Sequence, residues 1–258
     1  MLRPRIIPCL LVHNNGLVKT VKFKVPKYVG DPLNAVRIFN EKEVDELMVL
    51  DIDATSLGKK PDFRLIQNLA AECRMPLCYG GGIKSVDEAQ YIFSMGVEKI
   101  ALSASAIDHP DLISEIAKRV GNQSVVVVLD VKKKLLGQKY ELCTHNGKNS
   151  RGIEPIEFAK RCEALGAGEI IVNSVDRDGT MEDYDHGLIG KIRNAISIPM
   201  TILGGAGSLS DIGKLIEKHG IIGAAAGSLF VFKGKYKAVL INYPNPIEKE
   251  QLLEKYQY

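Results

Sequence analysis

Short apolar runs recur eight times along this chain, at residues 6–12, 47–52, 76–79, 99–103, 124–130, 169–173, 199–203 and 223–226. Most are nearly continuous in Val, Ile, Leu and Ala, the pattern of parallel strands buried on both faces. Helical signals fill the gaps. Asp31-Pro32 reads as an N-cap with proline at the first helical position. Ser85-Val86-Asp87-Glu88 reads as a capping box, with Gly96 as the stop. Asp108-His109-Pro110-Asp111 opens a helix that closes at Gly121. Segments 154–165 and 208–218 carry apolar residues at helical spacing, each ahead of a glycine. Alternating strand and helix calls for a parallel sheet, and eight such units predict an α/β fold closed into a (β/α)8 TIM barrel. The open, doubly wound sheet is the rival.

The two halves echo each other. Gly80-Gly81-Gly82 follows the third strand and Gly204-Gly205-Ala206-Gly207 the seventh, 124 residues on. Leu11 in the first strand is matched by Asp130 in the fifth, 119 residues on. This suggests half-barrels at about 1–120 and 121–232, with a helical tail over 233–258, in one domain spanning 1–258. Segment 132–152 is long for a strand-to-helix loop. Its stretches around Leu135-Leu136-Gly137-Gln138 and 139–143 read as a hairpin over the barrel mouth.

Bulk properties exclude several classes. A net charge of +3 is too small to argue for nucleic acid, and the lysine runs at 132–134 and 233–237 read as solvated faces. No apolar run reaches the ~20 residues of a membrane span, and Met1-Leu2-Arg3-Pro4 leads straight into a strand without a signal peptide. Cys9, Cys73, Cys78, Cys143 and Cys162 are odd in number and lack metal spacing, so free buried thiols, no metal and a cytoplasmic location are expected. No cofactor signature is present.

Barrel active sites lie at the C-terminal ends of the strands, where every chemical candidate falls. Gly81 and Gly82, Gly204 and Gly205, and Gly227-Ser228 leave backbone N–H groups open to an anion. Two such clusters at related positions suggest a ligand with a phosphate at each end; tight turns are the plainer reading. Asp178-Gly179 lies in the polar run after the sixth strand, where an Asp-capped turn would also account for it. Asp51 ends the second strand and could hold a ribose hydroxyl or a lysine. Lys19, just past the first strand, could reach a phosphate or close over a ligand. Asp130 ends four valines and a leucine, and a carboxylate there can serve as general acid or base; a structural ion pair is the alternative.

Over about residues 5–232 the chain resembles the cyclase subunit of imidazole glycerol phosphate synthase. The resemblance rests on Arg5-Ile6-Ile7-Pro8-Cys9-Leu10, Gly30-Asp31-Pro32, Asp45-Glu46-Leu47, Leu50-Asp51-Ile52, Gly80-Gly81-Gly82-Ile83, Asp176-Arg177-Asp178-Gly179-Thr180 and Gly204-Gly205-Ala206-Gly207. It implies a phosphorylated nucleotide across the mouth and a glutaminase subunit docked on the opposite face as a heterodimer. Ammonia would pass through the barrel to two catalytic aspartates. It also implies an ammonia gate at Arg5, Glu46, Lys99 and Glu169.

The departures gather at the other end. Leu11 stands where the family has its first catalytic aspartate, while Asp130 matches the second. Ser103-Ala104 replaces the usual Asn-Ser/Thr after the fourth strand, and Leu203 replaces a serine before the glycines. One positioned acid or base contributes about 10²–10⁴ in rate, so losing one weakens the cyclase. A kept ammonia entrance with altered chemistry resembles the paralogues encoded with surface-polysaccharide genes. There the ammonia is expected to reach a separate sugar amidotransferase that makes an amidino group. The alternatives are a genuine cyclase of histidine biosynthesis that tolerates Leu11, a phosphate-ligand sensor, and the sister isomerase, in that order.

Overall fold

The computed structural model describes residues 3–134 and 139–256. Its centre is a ring of parallel strands: β1 (Arg5–His13), β2 (Leu47–Asp51), β3 (Leu77–Gly80), β4 (Lys99–Leu102), β5 (Val125–Lys133), β6 (Glu169–Ser174), β7 (Met200–Leu203) and β8 (Gly223–Ala226). Each pairs with the next, and β8 closes on β1 through Ile7↔Ala225. The expected barrel is therefore closed, and the open sheet is excluded. Strand alternation sends one set of side chains inward, where Ile7, Met48, Cys78, Val126, Ile171 and Ala225 form an inner apolar plug. The other set faces the helices and joins the larger outer core.

The longer helices are α1 (Pro32–Glu41), α2 (Phe63–Glu72), α3 (Val86–Ser94), α4 (Asp111–Val120), α5 (Pro155–Ala164), α6 (His186–Arg193), α7 (Leu209–His219) and α8 (Pro246–Lys255). Asp31 caps α1 by accepting from the Asn34 N–H at 2.9 Å, with Pro32 behind it. At α3, Ser85 accepts from the Glu88 N–H at 3.2 Å, but the Glu88 carboxylate reaches the Lys84 N–H at 2.8 Å, one residue short of a reciprocal box. Full capping boxes belong to Ser208 and Asp211 at α7 and to Asn245 and Glu248 at α8. Asp108 does not open α4. It ends a short helix, Ala104–Asp108, and binds Arg151 at 2.5 Å.

Two departures bear on the site. Strands Gly16–Val21 and Lys24–Gly30 form a hairpin growing out of β1 through Leu11↔Val18, so Lys19 sits within a strand. Its tip, Lys22-Phe23, has φ of 52° and 58° with neither Gly nor Asn to announce it. The second hairpin is as expected where it is described: Lys132↔Glu141 and Lys133↔Tyr140 pair antiparallel, while 135–138 lie outside the described residues. The tail expected to be helical over 233–258 is helical only in α8; before it, Phe232–Lys233 and Ala238–Val239 pair as strands. Among the described residues no helix is long and apolar enough to cross a membrane.

Candidate functional site at the barrel mouth

One cavity of about 710 Å³ opens at the C-terminal ends of the strands. Its wall includes Lys19, Asp51, Gly81, Gly82, Ser103 and Asp130 from the first five barrel units, and Asp178, Gly179, Gly204, Gly205, Gly227 and Ser228 from the last three. Leu11 lies on the same wall, paired in register with Leu50. All these sequence candidates thus meet around one space. That size suits a small-molecule ligand.

Asp130 is held at the end of β5. Asn173, its register partner on β6, donates from Nδ2 to Asp130 Oδ1 at 2.8 Å, and Ser103 Oγ donates to Oδ2 at 3.3 Å. Burial dominates and pushes the carboxyl up to about 6; the two hydrogen bonds pull it down, and Asp178 adds repulsion. A carboxyl near 6 is poised to take and return a proton near neutral pH. Ser103 is thereby committed to Asp130. Asn173 keeps a buried Oδ1 without a hydrogen-bond partner among the described residues. It was missed in the sequence, although an amide closing an otherwise apolar strand is a readable signal.

Lys19 reaches from its hairpin across the mouth. The side chain is buried, and its Nζ donates to the Cys9 carbonyl. Burial lowers its pKa, with Cys9 and Asp178 opposing. The ammonium lies so close to Gly227 that a Cβ there would strike it. An ammonium with one carbonyl partner among the described residues, beside the glycines after β7 and β8, is under-compensated and fits an incoming phosphate.

Asp178 has a second role that spacing did not reveal. Its carboxylate accepts from Thr20 Oγ1 at 2.7 Å and the Phe23 N–H at 3.1 Å, and its carbonyl accepts from the Lys22 N–H at 2.9 Å. It clamps the first hairpin, and Gly179 lets the two backbones approach, since a Cβ there would collide with the Thr20 carbonyl. Asp51 Oδ1 accepts from the Asp53 and Ala54 N–H groups at 2.8 and 3.0 Å, a turn of the Asx kind. Burial raises its pKa. Among the described residues no lysine bonds it. The next turn is tied by Asp53 to His13 Nδ1 at 2.6 Å.

At the strand starts Arg5, Glu46, Lys99 and Glu169 form a closed ring. Arg5 binds Glu46, and binds Glu169 at 2.6 Å; Lys99 Nζ binds each acid at 2.9 Å. Burial disfavours the Glu169 charge, yet Arg5 and Lys99 outweigh it and its pKa falls. Arg5 and Lys99 rise by the same balance. Thr201, missed in the sequence because it sits in an apolar run, donates to Glu169 at 2.5 Å and accepts from Arg5 at 3.3 Å. Between ring and mouth the barrel is lined by apolar groups and neutral thiols, Cys9 being raised to about 11 by burial.

A closed barrel with a polar mouth and a charge ring at its foot is a (β/α)8 barrel whose candidate site lies at the strand ends, where this fold places its sites. The histidine biosynthesis protein family matches residues 5–237, and the chain belongs to that family. It is 57% identical over 254 residues to a provisionally named imidazole glycerol phosphate synthase subunit, hisF3, of Vibrio vulnificus, covering 98% of both chains. A provisionally named HisF subunit of Leptospira interrogans is 60% identical, with 98% of this chain and 99% of the relative covered. The imidazole glycerol phosphate synthase subunit HisF of Lactococcus lactis is 39% identical, with 89% of each covered.

Proposed function

We propose that the chain is the barrel subunit of a glutamine-dependent amidotransfer system. A glutaminase subunit docks over the ring of Arg5, Glu46, Lys99 and Glu169 as a heterodimer, and its ammonia crosses the apolar interior to the mouth. Among the described residues the side chains packed in that interior are apolar groups and thiols, so neutral ammonia is not trapped as ammonium on the way. The ammonia serves modification of a surface-polysaccharide sugar by a separate amidotransferase, and a phosphorylated ligand occupies the mouth in the cytoplasm.

The observation that carries this reading is the contrast along the barrel axis. The charge ring is complete, whereas Asp130 shares the mouth with Leu11, which transfers no proton. The other nearby carboxylates, Asp51 and Asp178, are occupied with backbone turns and the hairpin. The numbered name of the Vibrio vulnificus relative, hisF3, supports a branch that stands beside the ordinary subunit.

A second reading, a genuine cyclase of histidine biosynthesis, is favoured by one observation: Asp130 keeps a carboxyl near 6 with two supporting donors. The two are separated by supplying the histidine-pathway nucleotide and saturating ammonium to the native chain, Leu11→Asp and Asp130→Asn. The proposal expects no turnover by the native chain and a gain in Leu11→Asp. Native turnover that disappears in Asp130→Asn would establish the cyclase instead. Absence of any complex with a glutaminase subunit, and of any stimulation of glutamine hydrolysis, would overturn the amidotransfer reading.

A further inference from the structure

We infer that the C-terminal segment, from residue 240 through α8, is a docking element beside the charge ring that selects the glutaminase subunit. The inference rests on the amidotransfer reading and deepens it. The family match ends at residue 237. The Lactococcus lactis subunit covers 89% of the chain, but the Vibrio vulnificus and Leptospira interrogans relatives cover 98%. The last stretch thus lies beyond the family match, while the Vibrio vulnificus and Leptospira interrogans relatives align over nearly the whole chain and so include most of it.

The structure carries this segment from the mouth to the opposite end. After β8, the Leu240 and Asn242 N–H groups bond the Val231 and Phe230 carbonyls at 2.9 Å. Tyr243 then donates to the Ile6 carbonyl at 2.9 Å near the start of β1. In α8, Lys249 binds Asp45 at 2.6 Å, and Asp45 is the neighbour of Glu46 in the ring. Glu250 binds Arg3 at 3.1 Å, two residues ahead of Arg5. Leu252 and Leu253 are buried and anchor the helix. A cleft of about 230 Å³ separates α8 from the start of β1, and Arg5 forms part of its wall. The ring and α8 therefore border one continuous surface, and a subunit seated over the ring meets α8.

That helix presents an apolar side chain to solvent. Ile247 is 70% exposed, in the first turn, three positions before Glu250 and so on the same helix face. An isolated exposed isoleucine is ordinary. Here it stands one turn from Glu250, whose carboxylate pairs with Arg3, on the helix that reaches Asp45 beside the ring through Lys249. An apolar anchor rimmed by opposite charges is the make-up of an interface centre. It fits a partner offering a small apolar pocket with polar edges, and the committed occupant is the glutaminase subunit. Where a genome encodes several barrels of this family, such an element keeps each with its own ammonia source.

The test uses the full chain and two probes: each glutaminase-type subunit of the source genome, and the glutaminase subunit that accompanies the Lactococcus lactis protein. Affinities are measured for the native chain, Ile247→Asp and Ile247→Asp/Glu250→Lys, with thermal midpoints as the folding control. The native chain is expected to bind one subunit of its own genome at least ~10-fold more tightly than the Lactococcus one. Ile247→Asp should weaken that binding by about 10-fold or more, shrink the preference, and leave the midpoint unchanged, because the side chain is exposed. Native binding with both variants within twofold, or a preference unaltered by either, overturns the inference and leaves the amidotransfer reading standing. A folded native chain that binds none of the subunits overturns the reading itself, and the inference with it.

Discussion

At the strand starts, Arg5, Glu46, Lys99 and Glu169 each meet two opposite charges; at the strand ends, Lys19 has one carbonyl and Asp130 two neutral donors. Both groups are removed from bulk water, so both incur a desolvation penalty. The ring offsets it within the chain. The mouth does not, and it remains polar, partly unsatisfied and open. The difference teaches which charges serve the fold and which await something the chain does not supply. It also explains why a ring of four ions is no obstacle to folding: every member finds its partners when the barrel closes.

The ring is where substitution should cost most. Lys99→Met leaves Glu46 and Glu169 sharing Arg5 alone. Removing one partner of a buried ion cluster costs about 3–5 kcal/mol, which lowers the thermal midpoint of a protein this size by roughly 6–20 °C. Circular dichroism during heating measures it. A midpoint within a degree of the native value would mean the ring is not structural, and the contrast between the two ends would be lost.

Lys19→Met should behave in the opposite sense. Its ammonium is buried against one carbonyl, so the substitution should leave the midpoint unchanged or raised. Affinity for inorganic phosphate, read by titration calorimetry, should fall about 10-fold or more, as befits a charged hydrogen bond. Unchanged phosphate affinity would remove Lys19 from the ligand site. Asp178→Ala sits between these extremes. It strips Thr20 and the Phe23 N–H of their acceptor and should cost about 1–3 kcal/mol. The loss should appear as faster amide exchange over 16–30 with the barrel strands still protected. Protection unchanged in that hairpin would return Asp178 to the ligand alone.

The architecture was legible because each strand is buried on both faces and writes a continuous apolar run. The ends of strands were legible too, since a charge closing such a run, as at Asp51 or Asp130, has no reason to be there unless the strand stops at a polar space. What the sequence hid were contacts set by tertiary approach. The first hairpin turns at Lys22-Phe23, whose left-handed backbone is held by Asp178, far away in sequence. The tie of Thr201 to Glu169 depends on register between neighbouring strands, and a single threonine in an apolar run gives no sign of it. The glycines were visible as a group, but two separate reasons for them emerged. Gly179 makes room for a hairpin, whereas Gly227 makes room for an ammonium.

The smallest effect sharpens the contrast most, because it concerns one carboxyl and its sign is fixed. Asp130 has a folded pKa of about 6, above the unfolded value near ~3.9. The folded chain therefore holds this proton more tightly than the unfolded chain. The stability that comes from holding it is fully present below about pH 4 and is lost as pH rises through 6. Asp130→Asn does not titrate. It should be more stable than the native chain at pH 7.5 by about 1–2 kcal/mol, after allowing for the partial exposure of the group, and no more stable near pH 4. The new amide can keep its oxygen towards Asn173 Nδ2 and donate its N–H to Ser103 Oγ, so the substitution need not strand a donor. Chemical denaturation at the two pH values tests this. An equal difference at both would show that the carboxylate is at ease in the folded mouth. Asp130 would then belong with the ring, as a charge settled by the fold, and not with Lys19.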